Sequence, residues 1–148
     1  MNSIKAYTLD KEIVYLNELY KNKNLLILFF NIQCLGCTGR AIPLAYKLNK
    51  EFKNIEVIAI HSNFSDHEIK KQDILDIFTI KTLPFSIYFD NGKKLFEEFK
   101  CEGTPHWILI SQEGEIIRSI FGSQEGAQNR LYYALDEVNG RNLEEQPA

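Results

Sequence analysis

Six consecutive apolar residues, Leu25-Leu-Ile-Leu-Phe-Phe30, constrain this chain more than any other segment. A run with no polar face must be covered on both sides, as an interior strand of a parallel sheet is. It is far shorter than the ~20 residues that span a bilayer. With the next residue it predicts a strand over Leu25 to Asn31, and Ile55-Glu-Val-Ile-Ala-Ile-His61 is a second strand of the same kind. Between them Ile42, Leu44, Ala45, Leu48 and Phe52 recur at helical spacing, which predicts a helix from about Cys37 to Phe52. Pro43 lies inside it, lacks a backbone donor and should kink it. Strand, helix and strand in this order make a right-handed crossover between parallel neighbours.

The rest of the chain extends this pattern. Ile13, Leu16, Leu19 and Tyr20 have helical spacing within Lys11 to Lys23. Ser65-Asp-His-Glu68 has the form of a capping box and predicts a helix running to about Phe78. Phe85 to Phe89 reads as a short strand, and Asp90-Asn-Gly92 turns the chain into a short helix over Lys93 to Phe99. His106 to Ser111 and Glu115 to Phe121 flank the turn Gln112-Glu-Gly114 as a hairpin, and Ser123 is placed to cap a last helix through Val138. The expected fold is α/β, a mixed central sheet with helices on both faces, closed by a β-hairpin and a helix. One domain over residues 1–138 is expected, with the polar stretch 139–148 as a flexible tail.

Composition narrows the function classes. Of 148 residues 45% are hydrophobic and 25% charged, the balance of an ordinary globular domain. A net charge of −3 indicates neither a nucleic-acid surface nor a polybasic membrane patch. The first residues lack a basic segment followed by an apolar one, so the cytoplasm is the expected location. Three cysteines are too few, and odd in number, for a disulfide framework.

Two of those cysteines follow the first strand as Cys34-Leu-Gly-Cys37. Between a strand and a helix this spacing suits a dithiol/disulfide couple. The first sulfur meets the unpaired N–H groups of the helix start, which favour a thiolate, and the second lies one turn inside. The same spacing is half of a zinc site. Cys101 and His106 are the evident further ligands, more than sixty residues away, so a metal-binding or delivery module is an alternative. Redox exchange through the pair requires no metal, flavin or nucleotide. Thr104-Pro105 precedes the strand His106-Trp-Ile-Leu-Ile110, where a proline is tolerated without any function.

The apolar strand, Cys34-Leu-Gly-Cys37, Pro43, the segment Phe99-Lys-Cys-Glu-Gly-Thr-Pro105 with its strand, and Gln112-Glu-Gly-Glu115 together resemble the thioredoxin-fold thiol–disulfide oxidoreductases of the TlpA/ResA type. The likeness extends from about Leu9 to Val138. It implies a cis bond before Pro105 and a loop at Thr104 and Pro105 that lies against the dithiol and pairs with an extended substrate segment. Cys34 is then the attacking thiolate and Cys37 the resolving thiol. The partners implied are a disulfide-containing protein substrate and an external dithiol donor, the protein working as a monomer and, in the cytoplasm, as a reductase.

The chain also departs from the pattern. Thioredoxin has tryptophans where Phe30 and Gln33 stand, Gly-Pro where Leu35-Gly36 stands, and a buried Asp and its Lys partner where Leu28 and Ala59 stand. The stretch from Thr38 to Pro43 is one residue longer, which a helical bulge would absorb. Without that Asp, Glu102 beside the loop and His61 at the end of its strand are the candidates for proton transfer. A peroxiredoxin-like thiol peroxidase is the alternative on the same scaffold, but Ile27 and Asn31 occupy the places of its Pro and Thr before the cysteine. Cys101 reads as a small buried hydrophobe, with a third redox thiol as the alternative. His106 is expected in the substrate groove or facing solvent.

Overall fold

The computed structural model describes residues 3–78 and 82–145, with side chains to residue 140. Among the described residues seven strands form one mixed sheet in the order β2-β1-β5-β4-β3-β6-β7. The parallel centre is β3 (Asn24–Phe30), β4 (Ile55–His61) and β5 (Ser86–Phe89). β1 (Lys5–Tyr7) and β2 (Ile13–Tyr15) close one side antiparallel, and β6 (His106–Ile110) and β7 (Ile116–Phe121) the other.

Every residue of β3 is buried, as its unbroken apolar run requires. Its alternation divides the interior in two. Leu26, Leu28 and Phe30 join a cluster with residues of α2 (Ile42–Glu51) and α5 (Glu125–Glu145). Leu25, Ile27 and Phe29 join a second cluster with Leu16 of α1 (Leu16–Leu19) and Leu95 of α4 (Lys94–Glu98). Helices therefore cover both faces, as expected. Among the described residues no helix is long and apolar enough to cross a membrane.

Four local expectations change. The stretch from Lys11 to Lys23 is not one helix. Lys11 takes a positive φ of 69°, the chain turns, and Ile13 to Tyr15 pair with β1 before the short α1. Ile13 and Leu19, counted above as one apolar face, are 53% and 55% exposed. Ser65 starts no helix. Its N–H and hydroxyl both donate to Asn63 Oδ1, a local turn that competes with helix, and α3 spans only Lys71–Leu75. At that later start the Asp73 carboxylate accepts the Lys70 N–H at 2.8 Å.

Pro43 does not kink a helix from within. It stands in the first turn of α2, where no donor is needed, and a π-helical turn over Cys37–Ala41 takes the extra residue upstream. Finally, α5 continues past Val138 to Glu145, so that most of the stretch expected to be a tail is helical. Residues 146–148 lie outside the described ones.

Candidate active site

β3 and β4 run parallel, so Phe30 and His61 reach the same sheet edge side by side. Asn31, buried directly after β3, holds the next turn. Its Nδ2 donates to the Ser62 carbonyl at 2.8 Å and its Oδ1 accepts the Gln33 N–H at 2.8 Å. This turn delivers Cys34 to the mouth of the helix. The Cys34 carbonyl accepts the N–H groups of Cys37 and Thr38, at 3.1 and 3.2 Å.

The two sulfurs occupy different surroundings. Cys34 is half-buried and Cys37 fully buried. The Cys37 N–H donates to Cys34 Sγ at 3.3 Å. Between the cysteines Leu35 projects into solvent, 87% exposed. Beneath Cys37 the floor is apolar. Leu28 and Ala59 are register partners on β3 and β4, and Trp107 faces Leu28 from β6. All three are at most 1% exposed. Burial, followed by the hydrogen bond to Cys34, pushes the Cys37 thiol up to about 12.

The Thr104–Pro105 bond is cis, and this loop lies against Cys34. The Cys34 thiol donates to the Thr104 carbonyl at 3.3 Å. The loop is pinned from behind by β7 and β6. The Gly122 N–H donates to the Pro105 carbonyl at 2.8 Å, and Trp107 Nε1 donates to the Gly122 carbonyl at 2.9 Å. Cys34, Gly36, Thr104 and Pro105 border a cavity of about 760 Å³.

In sequence and fold the chain is similar to known proteins. The sequence model of the AhpC/TSA family covers residues 1–121. The chain belongs to that family. Among curated relatives, the thiol-disulfide oxidoreductase ResA of Halalkalibacterium halodurans is 30% identical over 112 residues, covering 74% of this chain and 60% of the relative. This AhpC/TSA chain thus spans about three fifths of that relative's length. A thiol-disulfide isomerase from Corynebacterium glutamicum superposes with a TM-score of 0.68 at 26% identity, covering 82% of this chain and 84% of that one. A putative thioredoxin from Neisseria meningitidis superposes at 0.74 with 24% identity, over 95% and 89% of the two chains. The thioredoxin-like fold expected from the sequence is the fold of this AhpC/TSA protein.

The remaining candidates fall elsewhere. His61 reaches the expected edge, but its Nε2 accepts the Ile32 N–H at 3.2 Å and its ring stands edge-on to Phe30 and Phe89. It lines a different cavity, with Tyr7 and Lys11. Burial lowers its pKa to about 4, so the ring is neutral at neutral pH. Glu102 is exposed, and its N–H donates to His106 Nδ1 at 3.3 Å.

His106 neither lines the groove nor faces solvent. It is 1% exposed, and with Nδ1 accepting, its Nε2–H donates to Ser119 Oγ at 2.7 Å. Cys101 lies against the second cluster, beyond the sheet from Cys37, and burial raises its thiol to about 12. The four-ligand zinc set considered above is therefore not assembled, and among the described residues no three His, Cys, Asp or Glu side chains gather as a metal site.

Sequence reasoning overlooked Ser123 as a site residue and did not consider Arg40. The Ser123 hydroxyl does not serve the start of α5 as expected. It donates to the Gly36 carbonyl at 3.3 Å and accepts from Arg40 Nε at 3.2 Å, tying β7 to the dithiol turn. Arg40 follows Gly36 by four positions, one helical turn, which was the available signal. Ser123 had none, being 87 positions from Gly36.

Proposed function

We propose that this protein is a thiol–disulfide oxidoreductase that reduces protein disulfides through Cys34 and Cys37. One observation carries the reading: the half-exposed Cys34 sulfur, held between the Cys37 N–H and the Thr104 carbonyl, with a fully buried thiol one turn behind it. The names of the ResA relative and of the isomerase from Corynebacterium glutamicum support the same chemistry.

In this reading the Cys34 thiolate attacks one sulfur of a substrate disulfide. That S–S bond breaks, the other sulfur leaves as a thiolate and takes a proton, and a mixed disulfide remains. Thr104 and Pro105 hold the substrate segment alongside. Cys37 then loses its proton and attacks Cys34 Sγ. The second substrate sulfur leaves, the substrate has gained two electrons, and Cys34–Cys37 is oxidised. An external dithiol reduces the pair again. The working unit is a monomer in the cytoplasm, where the glutathione poise favours reduction.

No buried carboxylate receives the Cys37 proton in this scheme. Of the two proton-transfer candidates, His61 is committed to Ile32, while Glu102 stays in solvent at the loop. We assign the proton to solvent, with Glu102 as the alternative acceptor. The peroxidase reading has less support, because both ends of the Asn31 amide are taken by the turn and are not available to orient a peroxide.

Insulin reduction driven by a chemical dithiol tests the function. Cys34→Ala is expected to fall to the uncatalysed background. Activity retained in that variant would remove Cys34 from the reaction.

A further inference from the structure

The cavity beside Cys34 carries charge of one sign. Arg40 and Arg130 line it, and no Asp or Glu does. Three other cavities carry both signs, Lys21 with Glu18, Lys11 with Glu68 and Lys94 with Glu98. The chain as a whole is negative, at −3. Two unopposed cations at the reacting sulfur therefore run against its general balance.

Arg40 is oriented rather than loose. Its Nε donates to Ser123 Oγ at 3.2 Å, and Ser123 is 2% exposed. Its Nη2 lies 3.5 Å from where a Cβ on Gly36 would stand, and Pro105 Cδ lies 3.7 Å from the same point. The guanidinium is thus held beside the dithiol turn and the Thr104–Pro105 loop. Arg130 faces the same cavity from α5. Among the described residues neither arginine has a carboxylate within ion-pair distance, whereas Arg118 is paired with Glu137 at 3.1 Å. Glu125, five positions before Arg130, is exposed and is not part of the lining. A planar guanidinium with free N–H groups suits a carboxylate. Apolar surface adjoins the arginines, with Phe121, 45% exposed, in the same lining.

We propose that Arg40 and Arg130 form an anion subsite beside Cys34, and that the disulfides it exchanges with carry a carboxylate next to the reacting cysteine. The proposal deepens the oxidoreductase reading and rests on it. The arginines are specificity residues: they act on the substrate's charge and leave the S–S exchange itself to the two sulfurs.

The test uses the full chain carrying Cys101→Ser, reduced, with two disulfide probes. One is 5,5'-dithiobis(2-nitrobenzoate), which bears two carboxylates; the other is neutral 2,2'-dithiodipyridine. The readout is the ratio of their rates with Cys34. In the variant R40Q/R130Q the anionic-to-neutral ratio is expected to fall about tenfold, and in Arg118→Gln to stay unchanged. An unchanged ratio in R40Q/R130Q, or an equal fall in Arg118→Gln, would overturn the subsite.

Salt gives a second reading on the unsubstituted arginines. An ordinary thiolate repels the anionic probe, so added KCl speeds that reaction. Here KCl is expected to slow it and to leave the neutral probe unaffected. Acceleration by salt would overturn the proposal even if the double variant failed to fold. Failure of the oxidoreductase reading looks different: neither probe would react, or both would still react in Cys34→Ala.

Discussion

Cys34 and Cys37 stand one helical turn apart and meet two different solvents. On the Cys34 side lie a cavity, a backbone carbonyl and two arginines; under Cys37 lie Leu28, Ala59 and Trp107, all but sealed from water. Under the proposed function, the same turn of helix presents one sulfur for attack and stores the other as a thiol. In the proposed exchange the dry side controls how a mixed disulfide is resolved, while the wet side controls which disulfide enters. With Cys34 free, burial keeps the Cys37 thiol protonated through the neutral range, and the proposed exchange leaves that apolar floor in place while Cys34 is bonded to a substrate.

The largest expected effect follows from that floor. The resolution step should rise about tenfold per pH unit from about pH 6 to 9, since only the thiolate of Cys37 attacks and its fraction grows at that rate below its pKa. Stopped-flow decay of a preformed mixed disulfide measures it. A plateau near neutral pH that disappears in Glu102→Gln would break the comparison and hand the proton to Glu102.

A second prediction contrasts the dithiol with the other cavity at the same sheet edge. His61 has a folded pKa of about 4 against an ordinary value of 6.5, because its ring is buried with Nδ1 unpartnered. The unfolded chain therefore binds a proton first as pH falls. The stability His61 supports is complete above about pH 6.5 and is lost between about 6.5 and 4. A shift of this size corresponds to roughly 3 kcal/mol, and His106, lowered by burial in the same direction, adds to the slope. Asp90, raised by burial, opposes it. Urea unfolding of His61→Gln between pH 4 and 7 is expected to show a much flatter profile than the parent, and an unaltered slope would contradict the assignment.

The smallest effect is expected at Cys101, which lies against the second cluster with its thiol also raised to about 12. Cys101→Ser should change stability by no more than about 1 kcal/mol and leave insulin reduction unaltered. A large loss of turnover would make it a third redox thiol.

The centre of the fold was legible because β3 and β4 leave no polar face, so only an interior position suits them. The dithiol was legible for a related reason, its spacing being local. Regions that failed share a different cause. From Lys11 to Lys23, two of the apolar residues at helical spacing are exposed, Ile13 on an edge strand and Leu19 on the short α1, and periodicity does not distinguish a core face from an edge. At Ser65 the Asn63 side chain won the N–H that a helix would have left free. The charged wall of the groove joins Arg40 and Ser123, 83 positions apart, and only the sheet brings them together. The resemblance pairs Leu28 with Ala59 as the places of an Asp and its Lys partner; their register makes them one dry patch.

The division of labour between the sulfurs is tested most directly by trapping. Cys37→Ser and Cys34→Ser proteins, each carrying Cys101→Ser, are incubated with a disulfide-bonded protein substrate and separated without reductant. The account predicts a stable mixed disulfide through Cys34 in the Cys37→Ser protein and none in the Cys34→Ser protein. Mixed disulfides accumulating through Cys37 in the Cys34→Ser protein would contradict it.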